Sequence, residues 1–359
     1  YKALNVDNLD NTASKLTALA WIKNRDATDN HMLANRVRGP QFINNSSSNS
    51  TGETTNVNAI QRFLQRGVQV GSDVEVNTAN ESYVLWQWLM GDSATTGSTI
   101  SAGSISTDPV NVPSIASTVL VADADHMSIG TFTGTGSNGT VGHGLSAAPE
   151  AFVVFNPTVA ARFKMFYHKD SNASPASGYI HLESTEAFQP DSTIYNNTVP
   201  NSTVFSVGTN VSINENTKLN TFIAWRSVPG VCKVGSYIGN SDDDGPYLSL
   251  GFKPAWWMVK ETTVDDASHD WFVADSARYT FNGTTTAGGL NGGTLEANDT
   301  TIEEAHNTNF TDNPAFDFLS DGIKLRTNSG TINATGRTYI YLAMADIGGN
   351  GTLPPVYGR

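Results

Sequence analysis

The sequence predicts an all-β protein made of three tandem β-sandwich domains of jelly-roll type, joined by an extended linker. The first observation is a motif of two apolar runs around a polar turn, clearest at 253–278, that occurs three times. The second is composition: Ser, Thr, Asn and Gly crowd the loops, and charged residues make up 15% of the chain, as is typical of many-stranded proteins with frequent turns. Because internal repeats outrank local propensity in assigning architecture, we predict three copies of one domain.

The spacing within the copies defines the repeat. Gly134 lies 15 residues before Pro149, and an aromatic residue lies two positions before that glycine. Gly239 stands in the same relation to Pro254, again with an aromatic residue two positions earlier. The first copy lacks this glycine-rich start, but its run 17–24 aligns with the apolar run after each proline. We therefore expect the first copy to be incomplete at its start or to be completed by another chain.

The domain boundaries follow from the repeat. They are a divergent first copy at 1–92, an extended linker at 93–125, a second copy at 126–230, a third copy at 231–346 and a C-terminal arm at 347–359. The linker is rich in small hydroxylated residues and holds two prolines, which favours an extended segment with short strands of its own. Since the chain starts at Tyr1 rather than at Met, we expect part of the gene product to precede it.

The strands can be assigned from the apolar runs. Residues 151–155 and 256–259 are apolar at every position, so both faces of these segments must be covered. This indicates the central strand of a sandwich, and we expect each copy to have its own hydrophobic centre. Segment 57–68 has apolar residues at a helical spacing, but its counterparts in the other copies favour a strand. The glycine-rich stretch 281–299 is too loose in composition to belong to a core.

Charge and hydropathy argue against several classes of protein. Asp and Glu outnumber Lys and Arg by 34 to 21, which gives a net charge of −13. This argues against nucleic acid as a partner, because phosphate contacts need a basic surface. No apolar run reaches about 18 residues, so we expect no membrane insertion. The single cysteine, Cys232, has no partner within the chain and is expected to be a small buried residue.

Four stretches carry a family resemblance. They are AWIKNRDATDNHML at 20–33, TFTGTGSNGTVGHGLSAAPE at 131–150, GSYIGNSDDDGPYLSLGFKPAWWMVK at 235–260 and FLSDGIKLRTNSGTINATGRTYIYLAMA at 318–345. These stretches resemble a repeated β-sandwich domain found in tail-fibre and other virion structural proteins of marine and cyanobacterial bacteriophages. The resemblance implies a component of an extracellular particle, without enzymatic chemistry and assembled as a multimer. The first copy departs from the pattern at its start, where the glycine-rich hairpin should lie.

One acidic cluster is a candidate metal site. Asp242, Asp243 and Asp244 are consecutive in a turn before a Gly-Pro pair, and carboxylate oxygens are ligands that Ca²⁺ prefers. Their spacing is not that of an EF-hand loop, and a solvated turn is the alternative. We therefore predict no metal and no other cofactor, and keep Ca²⁺ at these three aspartates as the open alternative.

The sequence shows no pattern that indicates catalysis. The seven histidines lack the H-x-x-H and H-E-x-x-H spacings of zinc sites, and no G-x-S-x-G nucleophile elbow occurs. A glycosidase needs two convergent carboxylates, and no acidic pair repeats between the copies. His143 lies in a Gly-His-Gly turn and is expected to be exposed. We predict a protein without catalytic residues that is not an enzyme, with a polysaccharide depolymerase as the less favoured alternative.

Three tryptophans are candidate ligand-binding residues. If exposed, Trp256, Trp257 and Trp271 could stack on sugar rings through their large apolar faces. Trp256 and Trp257 must face opposite sides of a strand, yet their counterparts in the second copy are apolar too. Packing in the core is therefore the alternative interpretation.

These observations favour a structural role in a virion. We expect a tail-fibre, tail or capsid-decorating component that assembles into a symmetric homo-oligomer, a trimer by analogy with fibres, and that contacts other virion proteins. The alternative is a glycan-binding adhesion module, similar in action to a lectin, that attaches to the host surface.

Overall fold

The structure is a computed structural model of the chain. It describes residues 2–5, 16–47, 53–64, 67–90, 97–103, 112–160, 163–266, 269–278, 294–303 and 315–345. Strands arranged in several mainly antiparallel sheets make up most of the regular structure. The prediction of an all-β protein is confirmed.

The first of three consecutive groups of strands, which we call the first unit, covers residues up to Met90. It holds β1 (Lys2–Asn5), β2 (Leu16–Asn24), β3 (Met32–Asn35), β4 (Phe42–Asn45), β5 (Thr54–Thr55), β6 (Ile60–Leu64), β7 (Gly67–Val70), α1 (Val74–Asn77) and β8 (Tyr83–Met90). Its large sheet has the order β1-β8-β2-β3-β4-β5, and β6 pairs with β7. The strand expected in segment 57–68 is confirmed. The apolar residues at helical spacing do not share one buried face, because Ile60 is buried whereas Val57 and Leu64 are exposed.

The second unit begins within the predicted linker. It holds β9 (Ser98–Ile100), β10 (Ser117–Val121), β11 (Met127–Thr133), β12 (Gly139–Gly142), β13 (Ala151–Phe155), β14 (Met165–His168), β15 (Gly178–His181), β16 (Gln189–Pro190), α2 (Ser192–Tyr195), β17 (Val204–Val207), α3 (Val211–Asn214) and β18 (Leu219–Trp225), with a 3-10 turn at Pro175–Ser177. Its large sheet has the order β16-β15-β14-β13-β18-β11-β10-β9, and β12 pairs with β17. Two strands of the predicted linker therefore extend this sheet.

The third unit contains the motif at 253–278. It holds β19 (Cys232–Ile238), β20 (Tyr247–Ser249), β21 (Pro254–Glu261), β22 (Phe272–Asp275), β23 (Thr294–Glu296), β24 (Phe316–Phe318), β25 (Gly322–Leu325), α4 (Gly330–Asn333) and β26 (Thr338–Ala345). Its sheets have the orders β19-β26-β21-β22-β23 and β20-β25-β24. Leu295 of β23 is fully buried. The expectation that 281–299 lies outside the core is therefore wrong at β23, because pairing with β22 brings these residues inside.

The three large sheets share one strand order. The last strand of each unit lies beside the strand that carries the apolar run: β8 beside β2, β18 beside β13 and β26 beside β21. Beyond β2, β13 and β21, the next two strands of each unit follow in the same order. On the opposite edge of the last strand, β11 and β19 pair antiparallel with β18 and β26, whereas β1 pairs parallel with β8. The first unit thus differs from the others at its start.

A one-turn helix precedes the last strand of every unit. The residue before it is Asp73, Asn210 or Ser329, and its side chain accepts a hydrogen bond from the backbone amide two positions later. Such N-caps satisfy amides that the first helical turn leaves free. In the first and third units, the hydroxyl of Tyr83 or Tyr339 donates to the first carbonyl of the helix. The same N-cap hydrogen bond therefore recurs in each unit.

The glycines that define the repeat spacing have no room for a side chain. A Cβ atom at Gly134 would lie 2.3 Å from the carbonyl oxygen of Glu215, and one at Gly239 would lie 2.2 Å from that of Ala334. Both carbonyls belong to the residue that follows the one-turn helix. The conserved spacing therefore reflects a close approach of backbone to backbone.

Apolar residues of the described chain form four cores. Three lie within one unit each, around Ile22 in the first, Phe205 in the second and Ile323 in the third. The fourth, which we call the shared core, contains residues of all three units. Each large sheet is therefore buried on both faces, as the continuous apolar runs indicated. Those runs did not indicate that the other units supply the cover on the second face.

Two expectations lie outside the described residues. They concern the C-terminal arm at 347–359 and residues 6–15 at the start of the first copy. None of the helices in the described part of the chain has the length and apolar character that a membrane crossing needs.

Candidate functional site at the shared core

Equivalent positions of the three units converge in the shared core. One set is Trp21, Val153 and Met258, and another is Trp88, Trp225 and Met344. The members of the first set are equivalent because each pairs with the residue two positions before the second-set residue in the last strand of its unit. A small cavity of about 20 Å³ lies among these side chains. Its walls are apolar, so it offers no polar partners to an ordered water.

Aromatic rings hold the first and third units together at this core. The Trp256 ring centroid lies 5.7 Å from that of Trp88 and 6.4 Å from that of Trp21. The indole Nε1 of Trp88 lies 2.7 Å from the Sδ atom of Met344. These contacts join parts of the chain that are far apart in sequence, so they depend on the whole chain being folded.

Three equivalent backbone hydrogen bonds join the units into a ring. The donor and acceptor pairs are Glu53 with Pro157 (2.5 Å), Phe188 with Thr262 (3.1 Å) and Glu303 with Arg25 (3.1 Å). Each acceptor lies just beyond the end of β13, β21 or β2, and each donor lies in the loop beyond β4, β15 or β23. The first unit donates to the second, the second to the third and the third to the first. The contacts therefore repeat head to tail and close, as in a cyclic trimer.

The seam between the third and first units is ionic. Glu303 pairs with Arg25, and its carboxylate also lies 3.7 Å from Arg278. Arg278 pairs in turn with Asp275, which accepts a hydrogen bond of 3.1 Å from Nε1 of Trp86. The hydrogen bond to Glu303 raises the pKa of Arg25. Since Asp275, Arg278 and Glu303 are almost fully buried, each charge needs its partner.

The seam between the second and third units is largely aromatic. The Trp271 ring lies 4.8 Å from that of Phe166, and its Nε1 donates to the carbonyl of His181 over 2.8 Å. Nε2 of His168 lies 3.4 Å from the carbonyl oxygen of Tyr341. Burial lowers the pKa of His168 to about 4. The imidazole is therefore neutral at pH 7, with Nε2 as the donor.

Two buried lysines occupy equivalent positions near the backbone hydrogen bonds that join the units. Nζ of Lys23 donates to the carbonyls of Asn24 (2.5 Å) and Ala27 (3.1 Å) within the first unit. Nζ of Lys260 donates to the carbonyl of Thr185 across a seam (2.9 Å). Burial lowers the pKa of both lysines to about 8. Such amines could in principle be nucleophiles, but both are enclosed and held by carbonyl oxygens, which supports a structural role.

Comparison with known proteins places the chain in a family. The sequence pattern described as a domain of unknown function (DUF7483) matches residues 9–347. The chain belongs to this family. The match runs through all three units, so the DUF7483 pattern covers the whole ring and not one unit. No curated protein matches the chain, and no solved structure matches it.

In this DUF7483 chain, the three candidate ligand-binding tryptophans are buried. Trp256 and Trp271 lie in the shared core and Trp257 lies in the core of the third unit, each with 1% of its surface exposed. No ring face is open to solvent, so stacking on a sugar is not compatible with this structure. The alternative interpretation, packing in the core, describes these residues, because both faces of β21 are covered.

The acidic cluster of the DUF7483 chain lies on an exposed turn. Asp242, Asp243 and Asp244 all face solvent. A carboxylate oxygen of Asp244 lies 2.7 Å from Nζ of Lys324, and this contact holds the pKa of Asp244 below its usual range. Within the described ranges, no group of three or more His, Cys, Asp or Glu side chains is placed to hold a metal ion.

The structure corrects one expectation about histidine and confirms one about cysteine. His143 is fully buried, contrary to the exposed turn that its flanking glycines suggested. Its Nδ1 accepts from the Leu145 amide (3.1 Å), its Nε2 lies 3.1 Å from the Asn201 carbonyl, and burial lowers its pKa to about 4. Cys232 is buried as predicted, and burial raises the pKa of its thiol.

Sequence reasoning did not find the residues that join the units. Asp275, Arg278 and Glu303 lie near a glycine-rich stretch that resembles a solvated loop. The available signal was Asp275 itself, a charged residue at the end of a continuous apolar strand. A carboxylate in that place must be either at the surface or paired, but the sequence does not show that its partners come from two units.

Proposed function

We propose that this DUF7483 chain is a structural protein of a virion, a tail-fibre, tail or capsid-decorating component. In this proposal it consists of three tandem β-sandwich domains of jelly-roll type and joins other copies of itself and other virion proteins. The resemblance of the stretches at 131–150, 235–260 and 318–345 to phage virion domains supports this role.

The observation that carries the proposal is the closed ring around the shared core. Its three backbone bonds and buried tryptophans use the large apolar residues of the chain for packing between units. The buried charges Asp275, Arg278 and Glu303 are neutralised at a seam, with Arg25 as the second cation, instead of facing an open pocket. A ring of this kind resists deformation, because no unit can move without breaking contacts to both others.

The larger described cavity is consistent with this proposal. It has a volume of about 340 Å³ and lies between the loop at 40–41 and the β6–β7 hairpin. Its polar lining consists of Gln41, Gln61, Arg62 and Gln69, without a carboxylate or histidine. Hydrolysis of a glycosidic bond needs a pair of carboxyl groups, which this lining does not offer.

Electron microscopy and mass spectrometry of purified particles test the proposal. We expect peptides of this chain in particles that remain after density-gradient purification, and density for a three-lobed ring at repeated positions on the particle. The recombinant chain should release no new reducing ends from host envelope polysaccharide. Absence of the chain from purified particles, or release of reducing ends that increases with enzyme concentration, would refute the structural role.

A further inference from the structure

Among the described residues of the first unit, no strand corresponds to one that the other two units possess. In the second and third units, β17 and β25 each pair with a strand from the glycine-rich start of the unit, β12 or β20. Their counterpart in the first unit is β7, which precedes its one-turn helix by the same short turn as β17. Strand β7 pairs with β6, and no strand in the described part of the chain pairs with its other edge.

One side of the first unit's core has no strand over it among the described residues. Val141 of β12 and Leu248 of β20 are buried in the cores of their units. At the corresponding side of the first unit, Phe63, Val68 and Val70 are only partly buried. An open strand edge next to partly exposed apolar side chains is a template for an added strand.

The direction of the chain argues against residues 6–15 as the missing strand. Strand β12 follows β11, which ends opposite the start of β18, and precedes β13, which begins opposite the end of β18. It therefore runs from the starting end of β18 towards the finishing end. In the first unit, Asn5 pairs with Gln87 and Leu16 pairs with Met90. Asn5 and Leu16, which flank the segment 6–15, therefore both lie at the finishing end of β8, whereas a strand in the β12 position starts at the other end.

The C-terminal tail contains a short sequence similar to that of β12. Residues 350–353 read Asn-Gly-Thr-Leu, and residues 138–141 read Asn-Gly-Thr-Val. Leu353 therefore corresponds to Val141, the residue that β12 buries. Pro354 follows at once, and proline is tolerated where a strand ends because it lacks a backbone donor.

We propose that residues 350–353 of a second copy of this chain add to β7 of the first unit as an antiparallel strand. The pairing of Thr140 with Ser206 in the second unit sets the register, which places Thr352 opposite Gln69. Leu353 enters the open core beside Val68, and the backbone of the tail satisfies the free edge of β7. The tail of one copy thereby completes the first unit of the next, which joins copies head to tail.

The geometry favours the tail of another copy over the tail of the same chain. Met344 touches Trp88 and Thr17 touches Gly67, so Ala345 lies at the Gly67 end of β7. The added strand must start at the other end, opposite Val70. Only six Cα steps separate Ala345 from Gly351, a reach of about 20 Å when fully extended. Within this reach the same chain would have to pass to the β6–β7 sheet and then reverse its direction.

Disulfide trapping between differently marked copies tests the inference. Gln69→Cys is made in one preparation of the full chain and Thr352→Cys in another, and the two are mixed under mild oxidation. Opposed residues of antiparallel strands have Cα distances within disulfide range. We expect a disulfide-linked dimer in the mixture, little in either preparation alone, and a ladder of oligomers from the double variant. Cys232 is buried and does not compete.

Two matched variants provide the controls. In the first control, Lys324→Cys takes the place of Gln69→Cys. Lys324 is already paired with Tyr247 of β20, so this variant should give no dimer with Thr352→Cys. Leu353→Asp added to Thr352→Cys should reduce the dimer at least tenfold, and in light scattering it should lower the mass of the otherwise native chain. Equal trapping at Lys324, an internal disulfide in the double variant, or a mass unaffected by Leu353→Asp would overturn the inference.

The inference concerns how copies join and does not require a place in a virion. If trapping fails, the proposed virion role is still tested by the analysis of purified particles. If the chain is absent from particles, the trapping result still decides whether β7 accepts the tail.

Discussion

Trp256 and Trp257 are neighbours in β21, yet their side chains lie in different cores. The ring of Trp256 enters the shared core and approaches Trp88 and Trp21 of the first unit. The ring of Trp257 enters the core of the third unit and contacts Phe316 at a centroid distance of 5.0 Å. One strand therefore contributes to the stability of its own unit and to that of the ring.

Replacing either tryptophan by alanine separates these two contributions. We expect Trp256→Ala and Trp257→Ala each to lower the free energy of unfolding by about 3–5 kcal/mol, as for other large-to-small core changes. Trp256→Ala should also speed amide hydrogen exchange in β8 of the first unit, whereas Trp257→Ala should act mainly within the third. Hydrogen exchange followed by mass spectrometry checks this, and identical exchange patterns would contradict the shared core.

The buried carboxylate of Asp275 should be essential to the ionic seam. Asp275→Ala leaves Arg278 with only its longer contact to Glu303 and leaves Trp86 without its acceptor, so we expect a loss of about 3–5 kcal/mol in urea unfolding. Asp275→Asn keeps an oxygen for Trp86 and should cost less. Asp243→Ala, on the exposed turn, should change stability by less than about 0.5 kcal/mol. Similar losses at positions 275 and 243 would rule out the proposed importance of the seam.

Lys260 should make stability rise with pH in the alkaline range. Its pKa is about 8 in the folded chain and near 10.5 when exposed. Between these values the unfolded chain binds more protons, so the free energy of unfolding increases with pH. The wild type should therefore gain on the order of 3 kcal/mol relative to Lys260→Met from pH 8 to pH 10.5. Chemical unfolding at several pH values measures this difference, and Lys23→Met should behave alike. A constant difference across the range would contradict the burial of the amine.

His168 should make the seam between the second and third units sensitive to acid. Its pKa is about 4 in the folded chain and 6.5 when exposed. Between these values the unfolded chain again binds more protons, so stability falls as the pH is lowered from 6.5 to 4. His168→Gln cannot be protonated, so this part of the acid loss should vanish, on the order of 3 kcal/mol. The melting temperatures of both proteins at pH 7 and pH 4.5 provide the test, and parallel declines would count against it.

Local physical constraints made several features of the fold predictable. The all-β class followed from turn-rich composition and from runs such as 151–155 and 256–259 that need cover on both faces. The repeat spacing followed from Gly134 and Gly239, because a backbone carbonyl approaches each of them too closely for a side chain. The burial of Cys232 followed from its chemistry as a small apolar residue. Exposure of His143 was wrong, because the glycines beside it shape a turn that folds inward.

The contacts between units could not be predicted in the same way. A continuous apolar strand indicates that both of its faces are covered, but the side chains that cover Trp256 include Trp88 and Trp21 of the first unit, which no local pattern identifies. The bond from Glu303 to Arg25 joins residues without any shared local pattern.

The sequence by itself determined the strands of the apolar runs and the recurrence of their motif, because these depend on neighbours within a few positions. Only the tertiary structure decided that the units face inward around one core and close into a ring. That choice depends on complementary surfaces formed by strands from separate units, and those surfaces exist only after each sheet has formed.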